Sequence, residues 1–425
     1  MDYDVVICGA GVGGLTLATA LGQRGHRVLV LEKQRRFRMM HKGELIQPRS
    51  LHVLDSLGLL GPLSAGGALP VAALAVLGHD GAPLVSLDYG MIPGPYRHGM
   101  VQSYREMLTT IADSLGGAVT LWTGARADGL LRDDAGRICG VRVQRGGEQD
   151  TVTAALTVAA DGHASRLRDA AGLAVPAHRY GHQLVGFELA DAPALGNRMN
   201  AYLTRDGLRA LFALPGGRAR LYVQVPAGAF RDVGRAGAPR WADDLLRGMP
   251  ALEPVAEPLR QGLDTVQVLS AYRFVAPRWA LPGLALLGDA AHCVHPMVGQ
   301  GMNAAIRDAW TLGAWLPGAR EFEPARVDAA LAGYERQRRP DLQFTARLSH
   351  NLATLLTGTS RVGSALRPSL LRRNQTNDRL RRQITENVAG LTARRFTVRD
   401  WLSASGLIHG SKTSANNART EEVNR

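Results

Sequence analysis

Cysteine, lysine, acidic charge and long apolar runs are all in short supply in this chain. The three cysteines among 425 residues, Cys8, Cys139 and Cys293, are an odd number at unrelated spacings. They point to neither a disulfide framework nor a metal site, and no metal ligand set is expected. No apolar run approaches the roughly 20 residues that a membrane-spanning helix needs; Val71–Gly78 is typical of the longest. The amino terminus, Met1-Asp2-Tyr3-Asp4, lacks a basic n-region, so no signal peptide is read and a cytoplasmic protein is expected. Internal repeats are absent.

Only Lys33, Lys42 and Lys412 are lysine among the 50 basic residues; the others are arginine. Against 37 acidic residues they leave a net charge of +13. Between Glu335 and Arg399, 14 arginines face four acids, so this stretch alone carries +10. Such a balance suits nucleic acid, an anionic membrane surface or an anionic cofactor. An arginine-biased genome is its bland source. No nucleic-acid recognition motif accompanies the arginines, so nucleic acid loses support. Apolar residues at 45% and charged residues at 20% make a globular composition, and the length fits two packed domains with a helical tail.

What is present is concentrated in short motifs. Asp4–Cys8 is a compact apolar run of strand length, followed at once by Gly9-Ala10-Gly11-Val12-Gly13-Gly14. Leu15–Arg24 has apolar residues at helical spacing, and Arg27–Leu31 is a second strand closed by Glu32. A GxGxxG in this setting reads as a dinucleotide site. Gly9 permits the tight turn, Gly11 lets the backbone approach a pyrophosphate, and Gly14 lets helix and sheet pack closely. The helix N-terminus offers N–H groups and partial positive charge to phosphate. Glu32 can accept hydrogen bonds from ribose hydroxyls and would repel a 2′-phosphate, so FAD or NAD is expected there rather than NADP.

Two further strands end in a carboxylate. Ala155–Ala160 runs into Asp161-Gly162-His163-Ala164-Ser165-Arg166-Leu167-Arg168, and Leu284–Leu287 into Gly288-Asp289-Ala290-Ala291-His292. The latter continues through Pro296 to Gly299-Gln300-Gly301-Met302-Asn303 and a helix. With these motifs in this order, the chain resembles the flavoprotein monooxygenases of the p-hydroxybenzoate hydroxylase type. The resemblance covers about residues 1–175 and 265–340. It implies an α/β fold: a Rossmann-like FAD-binding domain of the glutathione-reductase type, an interleaved, mostly antiparallel substrate sheet, and C-terminal helices.

The same resemblance implies roles. Gly9, Gly11, Gly13, Gly14, Glu32 and Lys33 would hold the adenosine diphosphate end of FAD. Arg105 would reach FAD from a helix, with Gln102 a weaker candidate, and Ala127 would offer backbone to adenine. Asp289 would take a ribityl hydroxyl, and Pro296, Gly299, Gln300, Gly301, Met302 and Asn303 would line the flavin. Asp161 would serve both FAD and NAD(P)H, with Arg168, Arg36, Arg38 and Lys42 as further NAD(P)H candidates; for Asp161 a plain helix cap is compatible, and for the basic loop a solvated surface is the alternative. His292 and His295 read more readily as structural than as proton carriers, and Cys8 and Cys293 as space-fillers. No side chain is assigned a catalytic role, since a flavin C4a-hydroperoxide would carry the oxygen transfer.

The implied domains are 1–68, 100–175 and 265–330 for FAD, 69–99 and 176–264 for the substrate sheet, and 331–408 as a C-terminal helical region. Residues 409–425 read as a disordered tail. Few charged residues fall on the sheet strands, which favours an apolar or aromatic substrate; alternation alone does not say which face is inward. A helix at Glu323–Leu356 should break or kink at Pro340, Leu366–Leu391 should be helical with an arginine-dense face, and Phe396–Ile408 should be a short amphipathic end. The expected activity is an FAD-dependent monooxygenase that uses NADPH or NADH and O₂ on an aromatic or polyketide-type compound. The alternatives are alkene epoxidation, favoured by a squalene-epoxidase-like GELIQP at Gly43–Pro48, and a non-redox cyclase or scaffold with structural FAD. A halogenase is disfavoured because no tryptophan sits in a WxWxIP setting. The basic C-terminal helices leave weak contact with a membrane surface or an anionic partner open.

Overall fold

The computed structural model describes residues 1–397 and residue 400, and the counts below are made among these. A parallel sheet forms the first body. Its strands run Leu284–Leu286, Glu148–Ala159, Tyr3–Cys8, Val28–Glu32, Val119–Thr123, with Ala280–Leu281 antiparallel at one edge. The strands read as continuous apolar runs because helices cover the sheet. Val12–Gly22 and Gln300–Trp315 pack against each other and the sheet, and apolar side chains such as Ile7, Leu15, Leu29 and Leu286 are fully buried between them. Ile138–Arg145 extends the sheet by pairing antiparallel with the first half of Glu148–Ala159, and Ala125–Arg132 pairs antiparallel with Ile138–Arg145 in turn.

The second body is an eight-stranded sheet. Its order is His292–Cys293, Gln267–Val275, His178–Leu189, Arg218–Pro226, Gly207–Leu214, Arg198–Thr204, Ala73–Gly78 and Pro83–Asp88. All neighbours are antiparallel except Arg198–Thr204 with Ala73–Gly78, the joint at which two chain segments far apart in sequence meet. Six of the eight strands fall within the expected segments 69–99 and 176–264. Gln267–Val275 also belongs to this sheet, beyond the boundary expected at 264. A small sheet of Leu45–Ile46, Gly99–Val101 and Leu69–Val71 lies between the bodies.

Register shows which face is inward. Phe187, Leu221, Val223 and Leu211 point to one side and pack under the helices Ala229–Arg247 and Ala256–Gln261. Arg220, Tyr222, Phe212 and Met199 point to the other, toward the loop at 41–47 and the Tyr89 turn. The helix Pro324–Thr357 runs through Pro340 without a break. Pro340 is on its exposed side, where water can satisfy the carbonyl that loses its amide partner. Arg361–Gln375 and Asp378–Val388 are two helices where one was expected, and they close over the strands at 73–88. The end expected over Phe396–Ile408 falls almost wholly outside the described residues, and the tail at 409–425 entirely so.

Two arginines of the basic stretch are interior. Arg338 is buried against Asp308. Arg367 donates to the carbonyls of Leu356 and Gly358 and so caps the long helix. Among the described residues no helix is long and apolar enough to cross a membrane, and no group of His, Cys, Asp and Glu is placed to hold a metal ion.

Candidate functional site

The first glycine turn is shaped by two close approaches and one gap. Gly9 has φ +120°, and a Cβ there would run into the carbonyl oxygen of Ala160. A Cβ on Gly14 would run into the carbonyl of Gly9. At Gly11 the nearest atom outside the turn is the Tyr104 hydroxyl, 3.5 Å from where a Cβ would sit, so this side of the turn is open. Gly11 is the N-cap of Val12–Gly22, and no side chain caps that helix or places an acid in its first turn. Its leading N–H groups and dipole are therefore available to an anion.

Glu32 closes the second strand. One carboxylate oxygen accepts from the Ala10 N–H at 3.0 Å and the other from the Gln34 N–H at 2.8 Å. A carboxylate has further lone pairs, so both oxygens retain capacity for ribose hydroxyls. Ser165 is the N-cap of the short helix Arg166–Ala170, and Asp161 supplements it by accepting from the N–H groups of Arg166 and Leu167. The second Asp161 oxygen is buried without a partner, close enough to Cys8 to help raise that thiol, which burial already pushes up. An orphaned carboxylate oxygen beside the glycine turn is what a hydroxyl donor of a bound polyol would satisfy.

The third motif opens onto the same space. Asp289 is half-buried and makes no hydrogen bond or ion pair to the described residues. It faces the start of Gln300–Trp315, with its Oδ1 3.9 Å from where a Gly301 Cβ would lie. Gly299, at φ +60°, turns the chain into that helix, again without a side-chain cap. Gly43, Tyr104 and Met302 converge here too: a Cβ on Gly43 would lie 3.0 Å from the Tyr104 ring and 3.5 Å from the Met302 sulfur. Burial pushes the Tyr104 hydroxyl up to about 12, with Asp289 and Glu32 adding to the rise and the Val12 N–H opposing it.

The other candidates divide. Gln300 donates to the Val388 carbonyl, and Asn303 donates to the carbonyls of Leu45 and Gly299 while accepting from the Gln47 N–H. Both side chains thus tie the 45–47 loop and the last helix to the site. Pro296 is exposed at the turn, and Ala127 is half-buried on its strand. Arg168 is buried, donating to the carbonyls of His163 and Ala290. Lys33, Arg36 and Arg38 are not fully buried; Lys42 is half-buried, near enough to Cys293 to oppose the rise that burial and Asp289 impose on that thiol. Arg105 faces solvent. Tyr104, one residue earlier, is the side chain that reaches the glycine turn, and the sequence reading passed over it. The signal was the helical spacing of Tyr104, Met107 and Ile111, which puts them on one face of Tyr104–Asp113 and Arg105 off it.

Behind the third motif, His292 and Asp308 meet at 2.6 Å, and Arg338 grips the other Asp308 oxygen at 2.7 and 2.9 Å. Burial would raise the Asp308 carboxyl, but His292 and Arg338 hold it down at about 2. This clamp fixes the Gly288–His292 turn to two helices. A second buried network joins the 41–47 loop to the roof. Arg220 donates to Glu44 at 2.8 Å and to Glu188 at 2.9 Å, and Tyr222 donates to Glu44 at 2.9 Å. Burial raises the Glu44 carboxyl against the pull of Arg220. Charges on this sheet are thus more numerous than expected, and Arg218, Arg220 and Glu188 among them are paired. Arg220 keeps one nitrogen, Nη1, buried and without a partner.

The comparisons with known proteins agree with this geometry. The family described as "FAD binding domain" matches residues 2–349. The 6-methylpretetramide 4-monooxygenase of Streptomyces rimosus is 28% identical over 380 residues, covering 86% of this chain and 87% of the relative. The ubiquinone hydroxylase UbiL of Rhodospirillum rubrum is 30% identical over 379 residues, covering 83% and 82%. Among solved structures, PqsL of P. aeruginosa in complex with 2-aminobenzoylacetate superposes with a TM-score of 0.74 at 29% identity, over 86% of this chain and 99% of that one.

Proposed function

The chain belongs to the FAD binding domain family and is an FAD-dependent monooxygenase, and we propose that it oxygenates an apolar aromatic or polyketide-type compound that carries a hydrogen-bond acceptor. Bound flavin supplies the electron transfer and oxygen activation that side chains do not. NAD(P)H is the reductant typical of the family. The parallel-sheet body would hold FAD and the antiparallel roof the substrate.

In this reading the open side of Gly11 and the uncapped helix at Val12 receive the pyrophosphate, with the Tyr104 hydroxyl beside it. Glu32 takes the ribose, Asp289 a ribityl hydroxyl, and the uncapped start of Gln300–Trp315 the pyrimidine edge, where its partial positive charge favours a reduced, anionic ring. Asn303 and Gln300 position that helix start rather than touch the ring. Arg36, Arg38 and Lys42 remain the candidates for NAD(P)H phosphates. Arg168 is less suited because its guanidinium is engaged inside.

The inward face of the roof is the observation that carries the substrate class. Phe212, Met199, Leu214 and the half-buried Tyr222 make it apolar and aromatic, and the unpartnered Arg220 Nη1 adds one donor. The 2-aminobenzoylacetate bound by PqsL has this character, an aromatic ring bearing oxygen acceptors. The test is oxidation of NADPH and NADH with mass detection of a +16 product across aromatic and alkene compounds; turnover confined to acceptor-free alkenes would replace hydroxylation by epoxidation. For the cofactor, Asp289→Ala should lower the flavin retained on purification by tenfold or so, the worth of roughly one charge-assisted hydrogen bond. Unchanged absorbance near 450 nm would remove its ribityl role.

The NAD(P)H requirement supports a cytoplasmic location. Val362 and Leu366, one turn apart and among the few large apolar side chains left exposed, support weak contact with an anionic membrane surface, since Arg372 and Arg382 are exposed nearby. Cosedimentation with phosphatidylglycerol vesicles that persists in Val362→Ser/Leu366→Ser would exclude this helix.

A further inference from the structure

Next to the turn that opens Gln300–Trp315 lies a cluster of rings used by neither the cofactor motifs nor the substrate face. His178, Tyr180 and His182 come from the strand His178–Leu189, His295 from the loop before the turn, and His350 from the long helix. His295 is fully buried. Its Nδ1 accepts from the Met297 N–H at 3.1 Å, its Nε2 lies 2.8 Å from His182 Nε2, and the Tyr180 ring stands edge-on to it at 4.6 Å. The Tyr180 hydroxyl in turn meets His350 Nδ1 at 2.9 Å. His182 lines a cavity of about 160 Å³, together with Arg179, Tyr180, Gln183, Arg231 and Ser270.

These contacts assign the protons. Because His295 Nδ1 accepts a backbone N–H, the proton of its neutral ring is on Nε2 and is donated to His182. His182 must then be unprotonated at Nε2. A proton added to that nitrogen, the second on the ring, would force His295 to become the acceptor there and move its own proton to Nδ1. At Nδ1 it would face the Met297 N–H, donor against donor, and the bond that anchors the turn would be lost. We propose that His182 and His295 are positioning residues: the neutral pair holds the Pro296–Gly299 turn in place, and a proton taken up by His182 from the adjoining cavity releases it.

The surroundings keep the pair neutral until the solution is acidic. Arg179 and Arg231 face the cavity, Arg273 approaches Tyr180 and His350 from the neighbouring strand, and His178 approaches His350. Cys293 approaches Tyr180 from the short edge strand. None of these supplies a carboxylate, and burial lowers both His182 and His295, the latter to about 3.

The consequence for flavin binding rests on the flavoprotein reading above, since the same turn leads into the helix start assigned to the pyrimidine edge. It is tested with full-length protein in two ways. In protein ¹⁵N-labelled at histidine and methionine, the ring shifts at pH 8 should show His295 protonated at Nε2, and the Met297 amide shift should move with acidification in wild type but not in His182→Gln, whose amide oxygen keeps an acceptor without titrating. Flavin dissociation constants from fluorescence quenching should rise by up to about tenfold per pH unit below the His182 pKa, the limit for one linked proton, and His182→Gln should lose at least half of that slope. A His295 proton on Nδ1 at pH 8, or a wild-type slope in His182→Gln and His182→Asn, overturns the proposal. A chain that binds no flavin at any pH refutes the flavoprotein reading instead, and the tautomer and Met297 shifts still decide the pair.

Discussion

His292 and His295 lie three positions apart in the chain, yet the two are set in opposite electrostatics. His292 is fully buried beside a carboxylate, with Trp279 tilted over its ring at 5.3 Å, and that carboxylate is shared with Arg338. His295 is equally buried but meets another histidine and a backbone amide. The first site is a charged clamp between helices, closed to water. The second is a neutral pair at the wall of a cavity. The difference teaches that burial alone does not say what a histidine is for. The partner decides what the ring holds in place, and access to water decides whether it can respond.

The largest effect expected from this contrast is on the clamp. Asp308→Ala would leave the buried Arg338 with only the exposed carboxylate of Asp341, 3.5 Å away. Removing one partner of a buried pair costs about 3–5 kcal/mol, which for a chain of this size lowers the melting temperature by roughly three to six degrees. The clamp also fixes Gly288 through a 3.3 Å bond from its N–H, so flavin retention should fall with stability. Thermal unfolding at pH 7 checks this against Asp378→Ala, a pair with one exposed partner. Equal losses in the two variants would mean that the clamp is no stronger than a surface pair.

Much of the cofactor half is legible in the sequence because its signals are local. A strand, a glycine turn and a helix follow one another within about twenty residues, and each glycine's role depends on neighbours in the same motif or in the strand beside it. The distal features depend on which face a distant segment covers. Arg220 and Glu188 look like ordinary strand charges until Glu44, from a loop far away in sequence, closes on them. Arg338 is counted with a basic surface stretch, yet it sits in the core because Asp308 arrives from another helix. Tyr104 and Arg105 differ by one position, about 100° around a helix, and only the packing of that helix says which one reaches the turn. His182 has no motif at all; the bulge between Arg179 and Gln183 in its pairing with the next strand is a tertiary feature.

The smaller effect separates the two histidine sites along the pH axis. His295 is held at about 3 in the folded chain against an ordinary 6.5, so between those values the unfolded chain binds a proton that the folded chain refuses. Its contribution is therefore complete above pH 6.5 and is lost as the pH falls toward 3. Asp308 is at about 2 against 3.8, so its contribution is complete above pH 3.8 and is lost only as the pH falls through 2. Acid should thus weaken the protein in two stages, the neutral pair first and the clamp second. His295→Asn keeps an acceptor for the Met297 N–H, as asparagine caps well, but removes the titrating ring. The drop in urea midpoint between about pH 7.5 and pH 5 should then shrink in this variant without vanishing, because His41, at about 4 through burial and the nearby Arg220, loses stability over part of the same range. An undiminished drop would mean that His295 takes up its proton in the folded chain as readily as in the unfolded one, and the contrast with His292 would reduce to geometry.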